Sequence, residues 1–243
     1  VAAQALPRDT AVDLRVAGAL SPWLPAGPEL EPLAEASIDL AGAELSLAAE
    51  LSVAAPAPGP GETVAVARVE RFDGVPRLAV VALAAPAGER LVTQPSTFLP
   101  GVRREGRYVF YRVAGDLGFV RGTVRTPSGG VKALVTADPL PFVADCTPAG
   151  AYVLATRPRA AVSVSAALPG TSFAAAAGPV DVSPGEAAPL DILLEGRATS
   201  ATVVPANGAT GVSTRARIDS ASHMARSAGV SGRSTANSSP PYR

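Results

Sequence analysis

Residues 117–155 read LGFVRGTVRTPSGGVKALVTADPLPFVADCTPAGAYVLA, and this stretch decides the fold. Strand-length apolar runs alternate in it with breaks that contain Pro or Gly: Phe119–Val124 is followed by Pro127–Gly130, and Lys132–Ala137 by Pro139–Pro141. Strands of about 5–6 residues fit between such breaks, whereas a helix needs a longer uninterrupted run. The stretch therefore predicts short β-strands that are joined by tight turns.

The same rhythm continues as far as Gly196. Strand candidates at a spacing of about 8–12 residues are typical of a β-sandwich or a barrel, and no helical segments alternate with them. We therefore predict an all-β fold of tandem β-sandwich domains. The further strands predicted in this region are Tyr152–Ala155, Ala161–Ala166, Val180–Val182 and Leu190–Leu194.

Apolar residues recur at every second position in two segments of the first region. Val12, Leu14 and Val16 alternate with charged residues, which is the period of a half-buried strand. The same period returns over Leu45–Val53. Around Glu29–Glu35 the Ala and Glu content also permits a helical turn, so this alternative stays open at the level of sequence.

A hairpin is predicted at Asp73-Gly74, because the turn needs residues that tolerate positive φ. Polar Arg68 and Glu70 are expected at the exposed end of its first strand. The apolar runs on its two sides, together with a run of β-branched and aromatic residues suited to a pleated surface, give three further strand candidates. These are Thr63–Val69, Arg77–Leu83 and Arg107–Val113.

Composition and charge argue against several classes of function. The chain has 21 Lys and Arg against 21 Asp and Glu, so no basic field is available to attract a nucleic-acid backbone. It has one cysteine, Cys146, and one histidine, His223, whereas the usual metal sites and Cys–His nucleophile pairs need more of these residues. We therefore predict no nucleic-acid partner, no metal, no cofactor and no catalytic residue.

The longest strongly apolar run is Leu78–Ala87, and a membrane-spanning helix needs about 20 residues. We predict no membrane span in this chain. Since the first residue is Val1 rather than Met, we expect either that a signal peptide has been removed or that the chain is a fragment of a larger protein.

Four short motifs resemble the carboxypeptidase regulatory-like domain, a small transthyretin-like β-sandwich. They are Gly122-Thr-Val124, Pro127-Ser-Gly129, Ala133-Leu-Val135 and Gly150-Ala-Tyr152-Val-Leu154. The resemblance implies that Gly150 permits a tight turn before an aromatic-led strand, and that Tyr152 inserts into the core. Gly122, Gly150 and Tyr152 form the predicted fold motif of a domain at 117–197, and residues 1–116 are predicted to form a separate β-rich domain.

Beyond residue 197 the sequence changes character. VVPANGATGV at 203–212 resembles the opening of a bacterial immunoglobulin-like domain, which implies a partial module at 198–218. Residues 219–243 consist mainly of Ser, Arg, Gly, Asn and Pro, with almost nothing to bury. Such a segment cannot offset its ordering entropy, so we predict a disordered tail.

Two aromatic residues, Trp23 and Tyr111, are candidates for contact with a ligand. An aromatic ring combines a large apolar face with specific packing geometry, and it can serve either as a binding platform or as core. Tyr108 and Phe110 share one side of their strand and are expected to fill a core. Tyr111 points the other way and is therefore predicted to carry the more exposed ring.

These observations favour non-catalytic structural or interaction modules of an exported bacterial multidomain protein, located outside the cell or in the cell envelope. The alternative is a carbohydrate- or protein-binding accessory module of a secreted enzyme whose catalytic domain lies outside this chain. The expected partners are polysaccharides or other surface proteins. A row of exposed aromatic residues on one sheet face would favour the alternative, whereas uniformly small and polar faces would favour the structural role.

Overall fold

The computed structural model of the protein describes residues 13–196, and in this range every regular element is a β-strand. The predicted all-β fold is confirmed. No helix among the described residues has the length and apolar character to cross a membrane. The predicted immunoglobulin-like stub at 198–218 and the predicted tail at 219–243 lie outside the described residues.

Nine strands precede residue 117. They are β1 (Asp13–Val16), β2 (Leu30–Asp39), β3 (Glu44–Ala49), β4 (Ser52–Ala54), β5 (Glu62–Phe72), β6 (Val75–Ala87), β7 (Arg90–Gln94), β8 (Val102–Arg104) and β9 (Gly106–Ala114).

Eleven shorter or comparable strands follow. They are β10 (Gly118–Thr126), β11 (Gly129–Gly130), β12 (Leu134–Thr136), β13 (Phe142–Val143), β14 (Asp145–Cys146), β15 (Ala151–Thr156), β16 (Arg159–Ala167), β17 (Phe173–Val182), β18 (Ala187–Pro189), β19 (Ile192–Leu193) and β20 (Glu195–Gly196).

One long sheet crosses most of the described chain. Its strand order is β1-β2-β9-β5-β6-β13-β12-β16-β17-β20, with β7 on the remaining part of the β6 edge and β4 beside β7. A second sheet has the order β11-β10-β15-β14, and β18 and β19 run parallel to β10. A small pair, β3 and β8, completes the structure.

The centre of the first region is buried on both faces, and β9 shows this most clearly. Val109 and Tyr111 belong to one core cluster, whereas Tyr108 and Phe110 belong to another. Successive side chains of a strand point to opposite faces of its sheet, so the two clusters lie on opposite faces of β9. The predicted core role of Tyr108 and Phe110 is confirmed.

In the second region, a third core cluster gathers apolar side chains from both sheets, which is the packing of a β-sandwich. It also takes in Tyr152, as the fold motif predicts, and the Tyr152 hydroxyl donates to the Leu190 carbonyl at 2.6 Å. The buried residues of this cluster include Val120, Val124, Val135, Leu154, Val162, Val164, Ile192 and Leu194.

The predicted hairpin is confirmed: β5 and β6 pair in antiparallel fashion, and Asp73 and Gly74 form the turn with φ of 49° and 77°. The alternative helical turn at Glu29–Glu35 is not formed, because the residues from Leu30 onwards pair with β9 as strand β2.

The predicted burial is wrong on strands β1 and β3. Leu14 and Val16 are exposed rather than half-buried, because β1 lies at the end of the sheet and no described segment covers its face. Leu47 is exposed as well, although Leu45 and Val53 in the same periodic segment are buried.

The sheet continues across position 116/117, where the sequence predicts a domain boundary. β13 pairs in parallel with β6, with Phe142 opposite Leu78 and Val143 opposite Ala79. Leu117 and Phe142 also lie in the same core cluster as Tyr111. The regions before and after residue 117 therefore share both a sheet and a core cluster.

Two glycines of the fold motif stand where a side chain does not fit. Gly150 has a φ of +88°, and a Cβ there would lie 2.2 Å from the Val124 carbonyl oxygen. At Gly122 a Cβ would lie 2.0 Å from the Leu190 carbonyl oxygen. Close approach of backbone to backbone thus requires glycine at both positions.

We expect Gly150→Ala to lower the free energy of unfolding by about 3 kcal/mol or more, because it combines an unfavourable φ with a backbone clash. Gly170→Ala is the matched control, since Gly170 has a φ of +72° but open space around it. Its expected cost is about 1–2 kcal/mol. Urea denaturation measures the free energy of unfolding of both variants. An equal loss of stability in Gly150→Ala and Gly170→Ala would contradict the backbone clash.

Candidate functional site

Trp23 lies in the loop between β1 and β2 with 37% of its surface exposed. The centre of the Arg107 guanidinium lies 5.7 Å from the centroid of its ring, which is a cation–π arrangement. This contact holds the indole at the protein surface beside strand β9. The Trp23 ring is thus partly exposed, and its role toward a ligand stays a prediction.

A buried carboxylate supports this arrangement. Glu35 on β2 is only 2% exposed, and it accepts hydrogen bonds from the Ser21 backbone N–H at 3.0 Å and the Ser21 hydroxyl at 3.3 Å. Arg107 forms an ion pair with the same carboxylate. Because burying an unpaired charge is costly, Glu35 fixes both Arg107 and the loop that carries Trp23. Ser21, Trp23, Glu35 and Arg107 are called the Trp23 cluster below.

An open groove of about 520 Å³ shares Arg107 with the Trp23 cluster, and most of the residues that line it are charged. Acidic and basic side chains both line it, so it offers both hydrogen-bond donors and acceptors rather than a field of one sign. The charged residues that line the groove are Asp13, Arg15, Asp39, Glu105 and Arg107.

Tyr111 is not exposed, so the prediction that it carries the more exposed ring is wrong. Its exposed fraction is 0%, because a core cluster covers each face of β9. Its ring makes an edge-on contact with Phe142 at a centroid distance of 6.2 Å. Burial raises the pKa of its hydroxyl above the ordinary value, with a further contribution from the charge of Glu35. Tyr111 is therefore a core residue that joins β9 to β13.

An ionic cluster, which the sequence did not reveal, lies where the two regions meet, and its central pair, Arg68 and Asp145, is buried. One nitrogen of Arg68, Nη2, pairs with Glu70 and donates to Asp145 Oδ1 at 2.8 Å. Lys132 Nζ lies 3.0 Å from the other oxygen of Glu70. The expectation that Arg68 sits at an exposed end is wrong, since its side chain is 7% exposed. Arg68, Glu70, Lys132 and Asp145 are called the ionic cluster below.

The ionic cluster could not be read from sequence because its members lie far apart in the chain. Arg68 and Asp145 are separated by 77 positions, and the pairing of β13 with β6 is what brings them together. The one available signal is that Arg68 and Glu70 follow directly on a run of apolar strand residues. Within a strand that is buried on both faces, such charged residues must find partners.

Cys146 is buried beside the ionic cluster, and burial raises the pKa of its thiol. Its Sγ lies 3.8 Å from the Val131 carbonyl oxygen. A raised pKa keeps the thiol protonated, which is the opposite of what a nucleophilic cysteine needs. Within residues 13–196, no group of three or more His, Cys, Asp or Glu side chains is arranged to hold a metal ion. His223 lies outside the described residues.

Comparison with known proteins assigns the chain to no family. No family model matches it, and neither does any curated protein. Among solved structures, the Bacillus anthracis TIE protein is similar over 78% of this chain, with 12% sequence identity and a TM-score of 0.26. The aligned part covers 41% of that protein, so this chain spans about two fifths of its length.

We expect Arg68→Met to lower the free energy of unfolding by about 3–5 kcal/mol, because it leaves the buried Asp145 carboxylate without its partner. Arg71→Met is the matched control: Arg71 lies on the same strand but is exposed, so its expected effect is within about 0.5 kcal/mol.

The double variant Arg68→Met/Asp145→Leu separates the loss of the ion pair from a loss of packing. Because the double variant has no buried, unpaired charge at position 145, most of the stability lost in Arg68→Met should return. Urea denaturation of the three variants and the wild type measures these differences. A double variant as unstable as Arg68→Met would show that the ion pair is not the cause.

Proposed function

We propose that this chain is a non-catalytic structural module, a rigid spacer within an exported bacterial multidomain protein. The observation that carries the proposal is the position of the first and last described strands in the long sheet. β1, the first described strand, and β20, the last, are the two terminal strands of its order. Over residues 13–196 the polypeptide therefore runs from one edge of the sheet to the other, as a spacer between neighbouring segments requires.

The ten strands of this order are separated by nine strand-to-strand steps. At about 4.8 Å per step, the path across the sheet is about 43 Å long. Sheet twist makes the direct distance shorter than this path. Two neighbouring segments, one attached at each end, would thus be held apart by a hydrogen-bonded scaffold rather than by a flexible linker.

The contacts between the two regions support rigidity. The parallel pairing of β6 with β13 continues the sheet across position 116/117, and Phe142 is buried in a core cluster shared with the first region. The Arg68–Asp145 ion pair spans the same junction in a buried setting. Relative motion of the two regions would break these contacts together, so they act as one body.

Double electron–electron resonance on the full chain tests the spacer role. Spin labels are placed at the exposed positions Ala17 and Glu195 as Ala17→Cys and Glu195→Cys, with Cys146→Ala removing the native thiol. We expect one narrow distance peak, shorter than the path across the sheet. Each single-label variant is measured as the control for distances between molecules. A broad distribution or several intramolecular peaks would overturn the rigid spacer.

The second candidate function is a carbohydrate- or protein-binding accessory module of a secreted enzyme whose catalytic domain lies outside this chain. The exposed Trp23 ring, beside a groove that is lined by both acidic and basic side chains, favours it. An aromatic face packs on the apolar face of a sugar ring, while neighbouring charged groups hydrogen-bond with its hydroxyls.

A glycan array with the full chain tests this candidate. If a polysaccharide binds through the Trp23 cluster, Trp23→Ala should reduce the signal at least tenfold, because the stacking surface is lost. Leu47→Ala is the matched control, since Leu47 is an exposed apolar residue on strand β3, which contributes no residue to the Trp23 cluster. An array on which the wild type binds nothing, or equal signals for both variants, would count against carbohydrate recognition at this cluster.

A further inference from the structure

Strand β1 presents an unpaired edge. It pairs with β2 on one side, and no described strand pairs with its other side. Leu14 and Val16 on this strand are 52% and 60% exposed. An apolar edge strand is a template for pairing with another chain unless its sequence opposes that.

The backbone groups of the free edge can be assigned from the ladder. The Ala17 N–H donates to the Glu35 carbonyl at 2.9 Å, and Ala17 is the next residue along the β1–β2 register. Hydrogen-bonded and non-hydrogen-bonded positions alternate in an antiparallel pair. The backbone N–H and C=O groups of Asp13 and Arg15 therefore also form hydrogen bonds with β2. The N–H and C=O groups of Leu14 and Val16 therefore point outwards from the sheet edge.

The side chains of β1 divide between the two faces of the sheet. Leu14 lies opposite Ile38, which is buried in the core cluster on one face. Asp13 and Arg15 lie on the other face and form an ion pair with each other at 2.6 Å. The free edge thus combines outward-pointing backbone groups at Leu14 with an apolar face. An acidic residue precedes Leu14 and a basic residue follows it.

We propose that β1 binds β1 of a second copy of this chain in antiparallel fashion, with the two-fold axis at Leu14. In this register the N–H of each Leu14 donates to the C=O of the other. Asp13 of one copy then lies directly opposite Arg15 of the other, in both directions. The two Asp13–Arg15 pairs occupy non-hydrogen-bonded positions, where side chains of opposite strands lie closest to each other. Opposite charges in this relation stabilise the pair.

The charges also select this register over its neighbours. Since only the even-numbered residues point their backbone groups outwards, the smallest shifts that keep the hydrogen bonds move the axis to Asp13 or to Arg15. The first shift places Asp13 opposite Asp13, and the second places Arg15 opposite Arg15. Like charges directly opposite each other destabilise a strand pair. The sequence Asp13-Leu14-Arg15 is thus complementary to itself in one antiparallel register.

Sedimentation velocity of the full chain over a range of concentrations tests the proposal. We expect a reversible monomer–dimer equilibrium for the wild type. Arg15→Asp and Asp13→Arg each place like charges opposite one another, and each should weaken dimerisation at least tenfold. The double variant Asp13→Arg/Arg15→Asp restores opposite charges and should dimerise again like the wild type.

The substituted residues are exposed, so the variants should keep the wild-type circular dichroism spectrum. Leu47→Asp is the control for charge on an exposed leucine elsewhere, and it should leave dimerisation unchanged. A wild type that remains monomeric at all concentrations, or a double variant that fails to recover, would overturn the proposal. Either result would leave the spacer role untouched, because that role depends on one copy only.

Discussion

The rest of the structure depends on the parallel pairing of β13 with β6. This pairing is short, with Phe142 opposite Leu78 and Val143 opposite Ala79, so its backbone hydrogen bonds alone would hold it weakly. Its stability comes from burial on both faces: Phe142 packs in the large cluster of the first region, and Val143 packs in a small cluster with Phe72. Because of this pairing, the strands before and after residue 117 form one sheet.

The same pairing explains why charged residues occur inside the protein. It brings Asp145 next to Arg68, and Lys132 lies against Glu70 close by. Each charge is compensated by a neighbour, as burial demands. The other buried carboxylate, Glu35, is satisfied by Ser21 and Arg107 at the opposite part of the sheet. The pairing of Glu35 with Arg107 also affects the surface, because Arg107 holds the exposed Trp23 ring there.

Local patterns in the sequence were sufficient for the elements whose geometry is set by neighbouring residues. The Asp73-Gly74 turn and the Gly150 turn before Tyr152 follow from the steric freedom of the backbone at these positions, and both are present. The exposure of Tyr111 and Arg68 was predicted wrongly for one shared reason. A period of two indicates that a strand has two faces, but whether one face or both are covered depends on distant segments.

By itself, the sequence determined that this protein is built from β-strands and where most of its turns lie, because Pro, Gly and apolar spacing act over a few residues. Only the tertiary structure decided which strands are central and which form an edge. Leu14 and Tyr111 both occur in strands with apolar residues, yet one lies at the free edge and the other is fully buried. The physical reason is that burial and charge pairing depend on contacts between residues remote in the chain, such as Arg68 with Asp145.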